Sequence, residues 1–189
     1  MAWTRTPQDI SFSTFDLNWG FFALRLIDIR ADVTLLRRWL LDPRTSSWSP
    51  GRSMKVRQLL ETMLLTPERQ VFLGFRDDVP SFLFETFPPE YGSPGKRSGA
   101  VGVRLLASPT GDENPELATA ILRTIVKMVL SDPDTDRVLL ESDVTNARMP
   151  RIAAGFHSEQ RTTARGTEVC VSICTRADVE EEYRLEAAG

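Results

Sequence analysis

The chain has 189 residues and a mass of 21.3 kDa, the size of one globular domain. Its 41% hydrophobic and 26% charged residues are typical of a folded protein and exclude a disordered or fibrous one. A net charge of −3 and a pI near 5.3 argue against a binder of nucleic acid or of anionic membranes, because both need a basic surface.

The cysteines and the hydropathy pattern indicate a reducing compartment. Cys170 and Cys174 lie in one strand-like run, and two thiols are too few for a disulfide scaffold. We expect buried thiols and no metal site, because the lone histidine, His157, is poorly spaced for shared ligation. No apolar stretch approaches the roughly 20 residues that span a bilayer, and no signal-peptide pattern is present. The chain is therefore expected to be cytoplasmic.

The first half of the chain predicts two strands, two helices and two further strands. Asp32 is expected to cap the first helix, and the polar run 76–80 is expected to form the turn between the last two strands. The expected strands cover 12–17, 21–27, 71–75 and 81–87, and the expected helices cover 32–42 and 53–66.

The second half begins with residues 88–98, which are rich in Pro and Gly and predict an exposed loop. Beyond the loop we expect strands at 99–107, 137–141 and 167–175, helices at 117–130 and 146–154, and a charged tail at 177–189. Helices among antiparallel and parallel strands predict an α/β fold, a single three-layer domain of residues 1–176 on one mixed sheet.

Five segments follow one another in an order and spacing that carry a resemblance. They are WLLDPRTSSW at 39–48, FLFETF at 82–87, GVRLL at 102–106, DPDTDRVLLESDVTNARM at 132–149 and AGF at 154–156. Together, over residues 26–175, they resemble the siderophore-type N-acyltransferases of the GNAT fold. That family acylates N-hydroxylated lysine, ornithine or diamine amines in aerobactin, mycobactin and desferrioxamine assembly.

The resemblance implies an acyl thioester donor, either acyl-CoA (acetyl-CoA or succinyl-CoA) or a carrier-bound thioester. In that fold two parallel strands diverge and the pantetheine arm enters between them. The backbone of Leu105, Leu106 and Ala107 is implied to bind the arm, with Asn146 on the opposite wall. Ala118 matches the family's phosphate loop, at a helix start whose N–H groups favour an anion.

The rest of that loop departs from the family pattern. Glu116 brings a side chain and a negative charge where the family has glycine, and Pro115 lacks an N–H. If the Glu116 carboxylate lay about 4 Å from a bound phosphate, their repulsion would cost about 4 kcal/mol at an effective dielectric of ~20. A helix N-terminus stabilises a bound anion by only ~1 kcal/mol, so the repulsion is the larger effect. Asn114 is instead placed to cap the helix with its side chain.

The implied chemistry rests on Arg104, Asp143, Glu85 and Trp48. The family has a histidine at the position of Arg104 and an aspartate at that of Asp143, but a guanidinium stays protonated and cannot serve as a general base. The two residues can still form an ion pair, which would hold the site closed or bind an anionic acceptor. Glu85 accepts a hydrogen bond from the acceptor amine or is an exposed strand charge, and Trp48 lines the acceptor pocket or packs in the core.

The resemblance thus implies an N-acyltransferase of siderophore or secondary-metabolite biosynthesis that acts on an amine or hydroxylamine of a small amino acid or diamine. Hydroxylamines stay neutral near pH 7, so a dedicated base is less necessary. The alternative is a degenerate GNAT-like protein that no longer uses CoA and serves as a binding or scaffold partner, or catalyses another reaction in the same cleft. Further expected partners are a carrier protein and a second copy of the chain, with no nucleic acid and no membrane.

Overall fold

The computed structural model describes residues 10–43, 56, 58, 60–61, 65–66, 68–89, 99–109, 111, 114–143, 157–162 and 168–188, without the side chains of 141–143, 157–162, 168–170, 182–183 and 185–188. The strands are β1 Phe12–Asp16, β2 Gly20–Leu26, β3 Gln70–Arg76, β4 Val79–Phe87, β5 Ala100–Ala107, β6 Arg137–Asp143, β7 His157–Thr162 and β8 Glu168–Thr175. The helices are α1 Ile29–Leu40, α2 Pro115–Leu130 and α3 Arg176–Ala188, and residues 56, 58, 60 and 61 are also helical.

The strands form one mixed sheet in the order β1-β2-β3-β4-β5-β6-β8-β7. Neighbours from β1 to β4 are antiparallel, as are β6 with β8 and β8 with β7, whereas β5 and β6 are parallel. This confirms the expected α/β fold on a mixed sheet. In the described part of the chain, no helix has the length and apolar character needed to cross a membrane.

The chain divides into two compact units. The first unit comprises Met1–Thr86 and Leu105–Glu113, and the second comprises Phe87–Arg104 and Asn114–Gly189.

The turn between β3 and β4 is tighter than the sequence predicts. Only Asp77 and Asp78 form it, and their φ angles of 45° and 67° have the positive sign that a type I′ hairpin turn requires at both central residues. The predicted turn over 76–80 is wrong because Pro80 lies in β4, paired with Phe75 beside a register shift. The shift lets the strand accommodate a residue without an N–H.

Asp77 also ties this turn to the neighbouring hairpin of the first unit. Its carboxylate accepts a hydrogen bond from the N–H of Phe21 at 2.9 Å, and its own N–H donates to the Phe21 carbonyl at 2.8 Å. A Cβ on Gly20, where φ is +83°, would meet the carboxylate at 2.6 Å. Glycine is therefore required at that position by both space and backbone conformation.

The first helix begins earlier than predicted. Asp28 is its N-cap and accepts the N–H of Arg30 at 2.8 Å, so the cap predicted at Asp32 is wrong. Asp32 is instead buried and accepts two hydrogen bonds of 2.7 Å from the guanidinium of Arg25 in β2. One of its oxygens also accepts the Asp28 N–H at 2.8 Å. The second carboxylate is thus committed to an ion pair between strand and helix.

The core of the first unit is an apolar cluster between helical residues and one face of its strands. From α1 it takes Leu36, Trp39 and Leu40, whose helical spacing confirms the predicted buried face. The other members are Ile27, Val56, Leu60, Val71, Leu73, Phe75, Leu83 and Leu106.

The second unit is built on α2 and β6. The predicted amphipathic helix is confirmed, although it begins at Pro115. Three consecutive residues of β6 are buried, as expected for a strand covered on both faces: Val138, Leu139 and Leu140. The buried side chains of α2 are Leu117, Ala120, Ile121, Leu122, Thr124, Ile125, Val126, Val129 and Leu130.

Two elements at the C-terminal end are absent from the sequence-based expectation. One is β7, and the other is α3, which forms where a charged tail is expected. A reciprocal cap starts α3: Asp178 accepts from the N–H and hydroxyl of Thr175, both at 2.7 Å, and its own N–H donates to that hydroxyl at 3.2 Å. Arg176 Nη2 donates to the carbonyls of Asp132 and Thr135.

Replacing Asp32 with alanine should destabilise the protein by about 3–5 kcal/mol, because it leaves the largely buried guanidinium of Arg25 without its carboxylate. The matched change Asp28→Ala, which removes only a helix cap, should cost about 1 kcal/mol. Urea denaturation followed by circular dichroism measures both. Equal losses for the two variants would contradict the structural role assigned to the ion pair.

Asp136 contributes to the stability of the fold in a pH-dependent way, and the direction of its pKa shift gives the sign. The hydrogen bond from Arg137 Nε, at 2.8 Å, lowers the pKa of its carboxyl below the usual 3.8, with a further lowering from the charges of Arg137 and Arg176. The stabilisation should be complete above pH 3.8 and lost as the pH falls through the lowered pKa. Carboxyl NMR titration should show this pKa returning toward 3.8 in Arg137→Gln, and an unchanged titration would contradict the assigned cause.

Candidate functional site

The parallel pairing of β5 with β6 covers only part of the two strands. Among the residues that the structure describes, the register runs from Ala100↔Arg137 to Val103↔Leu140. Beyond it, β5 continues to Ala107 and β6 to Asp143. The last four residues of β5 are those to which the resemblance assigns the donor's arm and the missing base, so the candidate site begins where the pairing ends.

In the second unit, Arg104 lies beside an aromatic ring. Its guanidinium carbon is 5.5 Å from the centroid of the Phe87 ring, and the side chain is half-buried. The same ring lies against Gly102, where a Cβ would meet its Cε2 atom at 2.5 Å. Gly102 and Arg104 are two residues apart in β5 and so face the same side of the strand. Arg104 is thus a cation seated on an aromatic surface.

The expected ion pair between Arg104 and Asp143 involves one side chain, that of Asp143, which the structure does not describe. The backbone of Asp143 ends β6, where it pairs with Val169 of β8, but its side chain is not among those described. Trp48 and Asn146 lie outside the described residues altogether. Their assigned roles remain predictions.

The end of β5 that belongs to the first unit alternates in exposure. Leu105 is half-buried, Leu106 is 5% exposed within the apolar cluster, and Ala107 is exposed. The side chain of Leu106 is therefore engaged in the core and contributes only its backbone to any ligand. Ala107 presents little more than its backbone as well.

Glu85, in the same unit, is 0% exposed, so the expectation of an exposed strand charge is wrong. It lies opposite Val71 in the register and two residues after Leu83, and both belong to the apolar cluster. Arg69 Nη1 lies 3.3 Å from Glu85 Oε2, with 34% of the arginine side chain exposed. Because a buried carboxylate without a cation costs several kcal/mol, the guanidinium compensates it.

The start of α2 is organised as a helix cap. Asn114 accepts the N–H of Glu116 at 2.8 Å through its side chain, which confirms the predicted cap. Pro115 has no N–H, and the Ala118 N–H donates to the Asn114 carbonyl at 3.1 Å. The exposed Glu116 adds a negative charge at the positive end of the helix dipole. These groups stabilise the first turn of the helix and disfavour an anion bound there.

The remaining candidates are the cysteines and the histidine. Cys174 is buried, as expected, and its Sγ lies 3.8 Å from the Thr175 carbonyl oxygen. Among the described residues, no three or more metal-ligating side chains come together. His157 begins β7, opposite Ile173 of β8, and its side chain is not described.

Two residues of the site are missed by the sequence analysis. Arg69 precedes β3 and has no local pattern that links it to Glu85, sixteen residues away. Phe87 is visible only as the last aromatic residue of FLFETF, and the glycine of GVRLL is the signal that a large side chain packs against that strand. Neither partnership follows from residue spacing alone.

Residues 28–164 match the sequence profile of the acetyltransferase (GNAT) domain. No curated protein matches the chain significantly.

Several solved structures share the fold. An uncharacterized protein from Bacillus halodurans has a TM-score of 0.77 and 18% identity, covering 92% of this chain and 94% of its own. The aminoglycoside acetyltransferase AAC(6')-Ib, solved with coenzyme A, has a TM-score of 0.71 and 19% identity, covering 85% and 98%. A chimeric spermidine N-acetyltransferase from Vibrio cholerae has a TM-score of 0.62 and 11% identity, covering 82% and 96%. At such low identity these likenesses show the fold alone.

The pair formed by Arg69 and Glu85 should show measurable coupling in a double-mutant cycle. Arg69→Leu alone should cost about 2 kcal/mol because the buried carboxylate loses its cation, a value reduced from that of a fully buried pair by the exposure of Arg69. Adding Glu85→Leu should recover much of that loss. The exposed pair Arg184 and Glu181, 2.8 Å apart, is the control and should couple by about 0.5 kcal/mol or less. Equal coupling in both pairs, measured by urea denaturation, would contradict this account.

Proposed function

This chain belongs to the GNAT acetyltransferase family, and we propose that it is an N-acyltransferase that moves an acyl group from a thioester donor to a nitrogen of a small amine. The observation that carries the proposal is the end of the β5–β6 pairing at Val103 and Leu140, with β5 running on for four residues. The named activities of the solved relatives, acetylation of aminoglycosides and of spermidine, also support an amine acceptor.

The donor that we propose is an acyl-CoA, such as acetyl-CoA or succinyl-CoA, or an acyl thioester on a carrier protein. Its pantetheine arm carries two amides, which can exchange hydrogen bonds with the backbone of a strand. Leu105, Leu106 and Ala107 would hold the arm through backbone groups, and Asn146 would lie on the opposite wall by resemblance. Coenzyme A in the solved relative agrees with this choice.

The phosphate end of an acyl-CoA does not fit the start of α2. Asn114 already accepts one N–H of the first turn, Pro115 has none, and Glu116 would repel an anion. The N–H of Ala118, which the resemblance assigns to a phosphate, donates within the helix. We therefore propose that the donor is held mainly by its thioester arm.

The acceptor side of the proposal uses Glu85, Asp143 and Trp48. Asp143 would accept a hydrogen bond from the acceptor nitrogen, and Trp48 would contact the carbon chain. Glu85 is 0% exposed and paired with Arg69, so it would have to be uncovered before it could accept a hydrogen bond from the same nitrogen. When bound, the donor supplies an activated carbonyl carbon: the C–N bond forms, the C–S bond breaks, and the nitrogen's proton ends on the leaving thiolate. Arg104 cannot take that proton, so the nitrogen must arrive neutral. A hydroxylamine meets this requirement near pH 7.

A narrower form of the proposal is a role in siderophore or other secondary metabolism, with an N-hydroxylated amino acid or diamine as acceptor. Its support is the co-linear set of sequence segments together with the absence of a side chain that could act as a general base at position 104. A cytoplasmic location, a carrier-protein partner and a homodimer belong to the same proposal.

A second function is favoured by the start of α2. Asn114, Pro115 and Glu116 form a helix cap where the family has its phosphate loop. This replacement is expected in a GNAT-like protein that has lost CoA binding. Such a protein would bind a partner or ligand, or run a different reaction, without a thioester.

Calorimetry with acetyl-CoA, succinyl-CoA and S-acetylpantetheine tests the proposal. All three should bind, and S-acetylpantetheine should bind within about tenfold of acetyl-CoA, since a phosphate cradle worth more than ~1.4 kcal/mol is not expected. Thiol release should then require an added amine, with N-hydroxylysine and lysine compared as acceptors.

Glu116→Gln and Glu180→Gln form a matched pair for the same measurement, because both glutamates are exposed residues of helices. Neither change should alter binding of S-acetylpantetheine, and only Glu116→Gln should strengthen binding of acetyl-CoA, by a few-fold. If none of the three donors binds at millimolar concentration, the transferase proposal is wrong and the second function is favoured.

A further inference from the structure

We propose that an acidic carrier protein, which would deliver the acyl thioester, docks on the exposed side of α1. The inference rests on the proposed acyl transfer and deepens it, because it favours a carrier-bound donor over a free acyl-CoA. The surface, which we call the α1 basic face, consists of the exposed residues Arg30, Thr34, Arg37, Arg38 and Leu41.

The α1 basic face carries positive charge and no negative charge. Arg37 and Arg38 follow Arg30 by about two helical turns, so the three arginines lie on one side of the helix. Asp32 is the one acidic residue in the sequence of α1, and it is buried against Arg25 on the other side. In the part of the chain that the structure describes, no carboxylate pairs with the guanidinium of Arg30, Arg37 or Arg38.

An exposed helix that is merely solvated has a different charge pattern. Acidic and basic residues then alternate and pair along the surface, as Arg184 and Glu181 do in α3 at 2.8 Å. Arg37 and Arg38 lie in the last turn of α1, where the helix dipole favours cations. Arg30 lies in the first turn, where the same dipole disfavours a cation. Helix stability therefore does not account for Arg30, and a charge that opposes its local setting is expected to serve function.

A protein of opposite charge fits this face better than other anions do. The outer side of a helix is convex, so it offers no pocket that could enclose a small phosphate. Three arginines in a chain with a net charge of −3 attract nucleic acid or an anionic membrane only weakly, because both need a basic surface overall. An acidic protein needs only a local patch of opposite charge, and the exposed Leu41 adds an apolar contact to that patch.

The start of α2 favours a carrier over CoA as the source of the thioester. The cap formed by Asn114, Pro115 and Glu116 disfavours the phosphates of a free acyl-CoA. On a carrier, the same arm has a single phosphate esterified to the protein, and contacts of the protein surface replace those of the CoA nucleotide. The α1 basic face would supply these contacts.

The α1 basic face belongs to the same compact unit as the end of β5. The buried side of α1 contributes Leu36, Trp39 and Leu40 to the apolar cluster that also contains Leu106. The exposed side is one helix diameter, about 10–12 Å, from that cluster. A pantetheine arm has the length of about four to five extended residues, roughly 15 Å, and can cover this distance.

Exchange of carriers is part of each turnover. In the transfer step the acceptor nitrogen bonds to the carbonyl carbon, the C–S bond breaks, and the nitrogen's proton ends on the sulfur. The resulting thiol stays on the carrier, which must leave before the next donor arrives. A docking face made of exposed charges suits this exchange, because such charges speed association without making release slow.

Two donors with the same arm test the proposal. They are S-acetylphosphopantetheine and the acetylated acyl carrier protein of bacterial fatty-acid synthesis, which differ by the acidic protein. In kcat/KM for transfer to N-hydroxylysine, the carrier should be the better donor by about tenfold or more, because charge complementarity steers association. That advantage should shrink several-fold between about 0.05 and 0.3 M salt, whereas transfer from the free arm should change little.

Matched double variants assign the advantage to the α1 basic face. Arg30→Gln/Arg37→Gln should reduce it by about fivefold or more and leave S-acetylphosphopantetheine unchanged. Arg137→Gln/Arg184→Gln removes two exposed arginines elsewhere, with the same change in net charge, and should leave the advantage intact. Arg30→Lys/Arg37→Lys should keep most of it, because steering depends on charge. Circular dichroism checks that each variant is folded, and fluorescence anisotropy of a labelled carrier measures docking without turnover.

Three results would overturn the docking site while leaving acyl transfer in place. The first is an equal kcat/KM for the two donors, and the second is an advantage that survives Arg30→Gln/Arg37→Gln or is lost equally in Arg137→Gln/Arg184→Gln. The third is binding of anionic lipid vesicles or duplex DNA through the same arginines without binding of the carrier. If neither donor transfers its acyl group, the proposed function fails and the inference fails with it.

Discussion

The parallel ladder between β5 and β6 sets the position of the proposed thioester site. Four residue pairs join the strands, ending at Val103 and Leu140, while both strands continue. The proposed thioester arm would bind along the β5 residues that follow the last pair. Arg104 is the residue of β5 that directly follows the last pair.

Among the described residues, three arginines contact buried carboxylates or aromatic rings. Arg25 binds a buried carboxylate of α1 through two short hydrogen bonds and lies 5.3 Å from an aromatic ring centroid. Arg69 compensates the fully buried Glu85, and Arg104 rests over Phe87. A planar, weakly hydrated guanidinium is suited to all three situations, because it can pair with carboxylates and stack on rings at once. The first two arginines stabilise the fold, because each pairs with a buried carboxylate.

Sequence patterns predict those elements whose signals are local. The early hairpin, α1 and α2 follow from apolar periodicity, but the α1 cap is misplaced because two aspartates four residues apart both satisfy the capping pattern and only Arg25 in β2 distinguishes them. β7 is polar and lacks alternation, so its strand state comes from pairing with β8. The start of α3 carries a local signal, the capping box of Thr175 and Asp178, but the charged residues that follow are equally typical of an unstructured tail.

By itself, the sequence determined the α/β class, membership of the GNAT acetyltransferase family, the helix cap at the start of α2, and the lack of a general base at position 104. Only the tertiary structure decided that Glu85 is buried against Arg69, that Phe87 fills the space above Gly102, and where the parallel ladder stops. The reason is physical: periodicity and capping act within a few residues, whereas burial, ion pairing and strand register depend on segments brought together from distant parts of the chain.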